Sequence, residues 1–177
     1  MSNAFLAGYM YKEAASRADL PLRERVEVVV TKGDKILIQK RDGYAEMPGG
    51  GIDPGEDHKQ TARRETMEEA GAHIRNLKPA GTVESKWYAG IKDTDWGKEL
   101  WEKYRGSKTY FYTAEVTDKP LKKPTSDEGD GWKGAKFMPA IDALKYLGTL
   151  DNSYGMKDYR DMQKAVIGQA IVKGCTT

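Results

Sequence analysis

The sequence predicts one α/β domain of the α+β type, in which strands and helices do not alternate regularly. Two runs rich in β-branched residues, Arg25 to Thr31 and Lys35 to Lys40, flank Lys32-Gly33-Asp34 and predict a β-hairpin. Good helix formers then extend from about Asp57 to Gly71, a residue that tolerates the left-handed backbone of a helix end. Because further strand-like runs follow without a βαβ repeat, a doubly wound sheet is excluded.

Length and composition indicate a globular protein. The 177 residues suffice for one domain, 1–177, with a full core. Hydrophobic residues at 38% and charged residues at 32% are typical of a folded chain with a highly charged surface. A formal net charge of +2 is too small to indicate a nucleic-acid binder. No stretch approaches the ~20 apolar residues that span a bilayer, so no membrane partner is expected.

The two ends of the chain bear on its location. The segment Ala4 to Tyr11 resembles a signal peptide loosely, but no basic region precedes it and Lys12 and Glu13 interrupt it. We favour a helix packed on the domain or a mobile end. Cys175 is the single cysteine, so no intramolecular disulfide forms and nothing indicates an oxidising compartment. We expect a cytoplasmic protein.

The second half of the chain continues the mixture of strands and helices. His73 to Ser85 contains at least one strand, which Pro79-Ala80-Gly81 is expected to break, and Thr109 to Val116 alternates as a half-buried strand does. Thr117 to Gly134 has the prolines and glycines of a long loop. Two helices, Pro139 to Leu147 and Met156 to Val172, are expected to close the chain.

Between the last two strands, the segment 89–107 is interpreted as an inserted amphipathic helix. Trp96, Leu100 and Tyr104 recur at helical spacing and form one stripe, with Trp101 beside it. We favour docking of this stripe on the core or on a second subunit over a role as a substrate lid. A homodimer is therefore one expectation for the chain.

The segment Gly50 to Ala72, GGIDPGEDHKQTARRETMEEAGA, concentrates the chemistry. On a helix Glu65, Glu68 and Glu69 share one face, whereas small residues such as Ala62 form another that can pack on a core. We expect the three carboxylates to point outward together. Because they repel one another, a cation should lie among them, either Arg64 or a hard divalent ion. A glycine-rich loop before a helix also suits phosphate oxygens, so phosphate-ester or anhydride chemistry is indicated.

This segment resembles the Nudix box, the signature of the Nudix hydrolase family, G-x5-E-x7-R-E-U-x-E-E-x-G-U with U aliphatic. Thr66 and Ala72 depart from the pattern at the U positions, which concern packing rather than ligands. The fixed positions are all filled, by Gly50, Glu56, Arg64, Glu65, Glu68, Glu69 and Gly71. The resemblance implies a mixed β-sheet sandwiched between helices. It also implies Mg²⁺-dependent hydrolysis of a phosphoanhydride in a nucleoside diphosphate linked to another moiety, as in dinucleoside polyphosphates, nucleoside triphosphates or nucleotide sugars. The subfamily is not assigned.

The resemblance also implies roles for single residues. Glu68 and Glu69 would be Mg²⁺ ligands, with Mn²⁺ as a substitute, and Glu65 would be a ligand or the base that activates water. Glu56 would be a further acid near the metal, and Arg64 would orient the acids. A backbone carbonyl of Gly49 or Gly50 would complete the shell. Many members take another acid from a later loop, for which Glu128 is the candidate, although a solvated acidic turn explains Glu128 equally well.

Substrate contacts are expected around the same segment. Gly50 and Gly51 would approach phosphates. The candidates for contacts with distal phosphates are Arg41, Lys40 and Lys86, and those for stacking on a base are Tyr44, Tyr88, Trp87 and Trp132. Tyr88 follows Ala72 by sixteen residues, a spacing that in the family is associated with dinucleoside polyphosphate hydrolases.

Two alternative functions remain open. One is a non-catalytic nucleotide-binding or regulatory Nudix module, and the other is a hydrolase that decaps RNA 5′ ends, the one nucleic-acid partner considered.

Overall fold

The computed structural model describes residues 17–41, 44–87, 95–120, 122, 132–148 and 157–174. The first part of the chain forms strands β1 (Leu22–Lys32), β2 (Lys35–Arg41), β3 (Tyr44–Glu46) and β4 (Gly49–Gly51), followed by helix α1 (His58–Ala70). The second part forms β5 (Ile74–Lys86), α2 (Asp95–Lys103), β6 (Gly106–Val116), β7 (Trp132–Pro139), α3 (Ala140–Gly148) and α4 (Lys157–Gly174). The segment Ala4 to Tyr11 lies outside these residues.

Strand β1 is the element around which a seven-stranded sheet is built. It pairs in parallel with β6 from Leu22 to Thr31, and β6 pairs antiparallel with β5. The predicted hairpin is confirmed, because β1 and β2 pair antiparallel on either side of Gly33-Asp34. Strand β4 pairs antiparallel with the first half of β1, and β2 also carries β3 and β7. The sheet is therefore mixed, as the resemblance implied.

Helices cover both faces of the sheet, and the alternation of β1 separates the two layers. Val26 and Val28 are buried against the face that receives α1, where Ala62 and Ala70 pack. Val29 is buried on the opposite face, together with residues of α3 and α4. Successive side chains of a strand point to opposite faces, so one strand serves both cores. The predicted sandwich of a mixed sheet between helices is confirmed.

Helix α1 has the ends that the sequence predicted. Asp57 is the N-cap, and its carboxylate accepts hydrogen bonds from the amides of Lys59 at 2.7 Å and Gln60 at 2.8 Å. The Gln60 side chain accepts in return from the Asp57 amide at 2.7 Å, which completes a capping box. Gly71 ends the helix with φ of 63°, a left-handed conformation that favours glycine. Local sequence thus fixes both ends of this helix.

Three expectations about the strands need correction. Gly49–Gly51 is a strand rather than a loop, because it pairs with β1. Strand β5 runs unbroken through Pro79-Ala80-Gly81, since register shifts at Arg75/Lys78 and Pro79/Gly81 accommodate residues that cannot follow the regular ladder. Strand β7 was not predicted, and its first residues fall at the end of the segment interpreted as a loop. It becomes a strand through pairing with β2.

The predicted helices of the second half are found close to their expected positions. Helices α3 and α4 confirm the two closing helices. Helix α2 lies within the segment 89–107, and its Leu100 is buried. The Trp96 side chain is outside the described part of the chain. No helix in the described ranges is long and apolar enough to cross a membrane.

Candidate active site

Two acidic residues of α1, Glu65 and Glu69, lie against strand β4 rather than in open solvent. Glu65 is 8% exposed and Glu69 is 6% exposed, while Glu68 is half-buried. The expectation that all three carboxylates point outward is therefore wrong for Glu65 and Glu69. A Cβ on Gly50 would lie within 2.7 Å of the Glu65 carboxylate carbon and Oε2. Glycine at this position leaves the space that the Glu65 carboxylate occupies.

Arg64 holds the acids together. Its Nη1 donates to Glu65 Oε1 at 2.8 Å and to Glu68 Oε2 at 3.1 Å, and its Nη2 donates to the Gly51 carbonyl at 3.0 Å. Its Nε and Nη2 donate to the two oxygens of Glu56 at 2.8 and 3.0 Å. The guanidinium therefore ties the helix to the β4 backbone and to the loop before the helix. The resemblance implied that Arg64 orients the acids, and in the structure its hydrogen bonds reach Glu56 and Glu65 as well as Glu68.

Glu56 is anchored in its ionised form. The hydrogen bonds from Arg64, with help from the Thr61 hydroxyl at 2.8 Å, lower the pKa of Glu56 to about 2. Burial acts in the opposite direction on Glu65, whose pKa is raised although Arg64 partly offsets the effect. Their surroundings thus lower the pKa of Glu56 and raise the pKa of Glu65. Pairs of acids with separated pKa values are typical of sites that both bind charge and move protons.

Glu69 is held by two donors that come from the sheet. Its Oε2 accepts from the Gly49 amide at 2.8 Å and from Gln39 Nε2 at 2.9 Å. Gln39 lies on β2 with no exposed surface, and its Nε2 also faces the Met47 carbonyl at 3.3 Å. The sequence did not reveal Gln39, because thirty residues separate it from Glu69. A glutamine that follows directly on the apolar run Ile36 to Ile38 was the available signal.

Two arginines of β1, Arg23 and Arg25, also approach the site, although neither belongs to the sequence motif. A Cβ on Gly51 would lie 2.6 Å from Nη2 of Arg23, so this guanidinium lies beside the start of the box. Arg25 is the register partner of Gly51, and its buried Nε has no hydrogen-bond partner among the described residues. The signal in the sequence was an arginine at the start of the predicted strand Arg25 to Thr31, with a second arginine two residues before it. They add positive charge beside the acids.

The donors around Glu65 suit a hard divalent cation. In the described ranges no three acidic, histidine or cysteine side chains converge as a metal shell, because Arg64 lies between Glu65 and Glu68. The donor types are nevertheless those that such ions prefer: carboxylates within one helical turn and the carbonyls of strand β4. The cradle beside Gly50 brings Glu65 directly against that strand. On these grounds the residues fit a divalent metal ion.

The other predicted contacts are placed only in part. Arg41 and Tyr44 are register partners on β2 and β3, while their side chains are not among those described. Tyr88 and Glu128 lie outside the described residues, so their roles stay predictions. Gly49, Gly50 and Gly51 lie directly beside the acids, while their contacts with metal or phosphate stay predictions.

A family model, relatives and solved structures each match most of the chain. The family model for the NUDIX domain matches residues 21–159. The RNA pyrophosphohydrolase of Bradyrhizobium diazoefficiens is 31% identical over 130 residues, which cover 68% of this chain and 76% of the relative. That of Bradyrhizobium sp. (strain ORS 278) is 28% identical over the same shares. In fold, the chain is similar to a Bacillus subtilis pyrophosphohydrolase with a TM-score of 0.58, at 18% identity and covering 83% of this chain and 82% of the other.

Proposed function

The chain belongs to the NUDIX family, hydrolases of phosphoanhydride bonds that generally use divalent metal ions, and from this premise we propose a Mg²⁺-dependent pyrophosphohydrolase that acts on triphosphorylated RNA 5′ ends. The observation that carries the activity is the complete set of acids beside the β4 backbone, tied together by Arg64. The RNA end is favoured over a free nucleotide by the names of the relatives. Mn²⁺ would substitute for Mg²⁺, because both prefer oxygen donors.

The metal would be held by Glu68 and Glu69, with Glu56 nearby and a carbonyl of Gly49 or Gly50 completing the shell. When bound there, a divalent cation would neutralise phosphate oxygens and lower the pKa of a water molecule. Glu69 is prepared for this role, since the Gly49 amide and Gln39 fix one of its oxygens. Fixed donors spend no reorganisation energy during the reaction.

Side chains of the protein accept the proton of the attacking water and hold the acids in position. Glu65 is the candidate proton acceptor, because its raised pKa makes it a better base than an exposed carboxylate. Water adds to a phosphorus of the anhydride, the bridging P–O bond breaks, and the water proton passes to the carboxylate. The products are pyrophosphate and a 5′-monophosphate end. Arg64 keeps Glu65 and Glu68 in position and does not contact the substrate.

A substrate panel tests the proposal. Purified protein is assayed with Mg²⁺ against a 5′-triphosphorylated RNA decamer, a capped RNA, nucleoside triphosphates, dinucleoside polyphosphates, nucleotide sugars and ADP-ribose. We expect pyrophosphate release from the triphosphorylated RNA, which EDTA abolishes and Glu69→Gln lowers about 10²-fold. Glu115→Gln is the matched control, because Glu115 is an exposed acid paired with Arg75 on the sheet. If the protein hydrolyses only the nucleotides, the proposed RNA substrate is wrong and the substrate is a nucleotide. Tight Mg²⁺-dependent nucleotide binding without turnover of any compound would support the non-catalytic alternative.

The wider expectations for the chain are part of the same proposal. Residues 1–177 form one domain, and the cytoplasm, where RNA 5′ ends arise, is its location. Helix α2 packs within its own chain and does not form a homodimer interface. This is supported by Trp101, whose ring already carries the Arg17 guanidinium 3.3 Å from its centroid. Sedimentation velocity is expected to give the monomer mass, unchanged by Trp96→Ala with Trp101→Ala. A dimer that these substitutions dissociate would contradict this assignment of α2.

A further inference from the structure

We propose that a pocket beside α2, here called the indole pocket, binds the single-stranded RNA that follows the 5′ phosphates. This inference rests on the proposed function and adds the place where the RNA strand lies. The pocket has a volume of about 260 Å³ between the end of β5, helix α2 and the residues that precede β1. Its side walls carry two indoles, three cations and one acid: Trp87, Trp101, Arg17, Lys86, Arg105 and Glu84.

The chemistry of the lining matches single-stranded nucleic acid. Proteins bind such strands with aromatic faces on which bases stack and with cations that follow the phosphates. Three cations against one acid give the indole pocket a local positive charge that the formal net charge of +2 for the whole chain conceals. Lys86 and Arg105 are exposed and can meet phosphates, while Trp87 is half-buried. Base stacking and charge are therefore both available in one place.

The pocket lies at the amino-terminal end of β1, close to the residues of β1 that pair with β4 at the start of the box. Leu22 lines the pocket, and the next residue, Arg23, lies beside Gly51. Gly51 pairs with Arg25, so three residues of strand separate the pocket from the box, about 10 Å at 3.3 Å per residue. A strand whose 5′ phosphates lie at Glu65 and Gly51 would pass Arg23 to reach the indoles. Arg23 thus connects the two sites.

The walls of the pocket are fixed by contacts within the chain. The Arg105 amide donates to the Pro21 carbonyl at 3.0 Å, and the Trp87 amide donates to the Arg105 carbonyl at 3.3 Å. The Trp87 ring meets the Tyr104 ring edge to face at 6.3 Å. Arg17 donates to the carbonyls of Trp101 and Tyr104 while it covers the Trp101 ring. Because Trp101 is covered in this way, Trp87 is the ring that stacks on a base.

Direct binding of RNA tests the indole pocket independently of catalysis. The probe is a single-stranded RNA decamer with a 5′-monophosphate, and its Kd is measured for wild type, Trp87→Ala, Trp87→Phe and Lys86→Gln. We expect Trp87→Ala to weaken binding roughly tenfold, within the range for one base–aromatic stack, and Trp87→Phe to restore most of it. Lys86→Gln should reduce the slope of log K against log salt by about 0.7, the value for one phosphate contact on a single strand. Lys145→Gln, an exposed cation of α3, is the control.

The outcomes separate the pocket from the proposed function. RNA binding that depends on Trp87 but is accompanied by no turnover would support the pocket and contradict the hydrolase. Turnover of triphosphorylated RNA with wild-type Kd and KM in Trp87→Ala and Lys86→Gln would overturn the pocket and leave the hydrolase standing. If Trp87→Ala fails to fold, the salt slope of Lys86→Gln decides, because this exposed side chain can be changed without disturbing the core.

Discussion

Arg64→Gln should destabilise the fold even without metal, because one guanidinium satisfies several acids. The variant removes the cation that is hydrogen-bonded to Glu65, which is only 8% exposed, and it removes the charged hydrogen bonds to Glu56 and to the Gly51 carbonyl. Breaking a buried ion pair costs about 3–5 kcal/mol. Since Arg64 and Glu56 are 24% and 20% exposed, solvent screening reduces the cost here, and we expect about 3 kcal/mol. For a chain of this size that corresponds to a fall in Tm of roughly 6–12 °C.

The measurement is thermal and urea unfolding in EDTA, with Arg63→Gln as the control. Arg63 is the neighbouring residue, is exposed and donates to the Lys59 carbonyl at 3.2 Å, so its substitution should change the free energy of unfolding by less than about 0.5 kcal/mol. A Tm of Arg64→Gln within 2 °C of the control, roughly the shift from 1 kcal/mol or less, would refute the reasoning. Turnover should also fall in Arg64→Gln, and added Mg²⁺ should not fully restore it, because the acids have lost their orientation.

Three further outcomes follow from the same contacts. Glu69→Gln keeps an oxygen for the Gly49 amide but loses the anionic ligand, so turnover should drop about 10²-fold, or ~2.7 kcal/mol, with little change in Tm. Wild-type turnover of this variant at limiting Mg²⁺ would contradict the assignment of Glu69 as a metal ligand. Gln39→Leu removes the second donor to Glu69 and should cut turnover about tenfold while raising the Mg²⁺ requirement, measured by metal titration of the rate. Burial raises the pKa of Glu27 from 4.5 to about 6, so the native state holds this proton more tightly than the unfolded chain. Stability should therefore fall as pH rises through that window, by about 2 kcal/mol relative to Glu27→Gln, and parallel stability profiles of the two proteins would exclude the effect.

Features that depend on near neighbours in the sequence could be predicted. The β1–β2 hairpin, the capping of α1 by Asp57 and the end of the helix at Gly71 are decided by residues within a few positions of one another. The face of α1 that packs on the core, with Ala62, follows from helical period alone. The pattern of acids and glycines in the box likewise identifies the family from the sequence alone. All of these features depend on residues that lie close together in the sequence.

Features that depend on distant pairing were decided only by the tertiary structure. Period alone cannot tell whether a carboxylate faces water or another element, so the burial of Glu65 against β4 was not predicted. Gln39 reaches Glu69 only because β2 and α1 pack on the same sheet. Strand β7 exists through its ladder with β2, and the indole pocket forms where the end of β5 meets α2. The sequence by itself determined which chemical groups this chain carries and the helix that presents them. Folding decided their partners, burial and pKa values, because those properties arise from groups that long-range packing brings together.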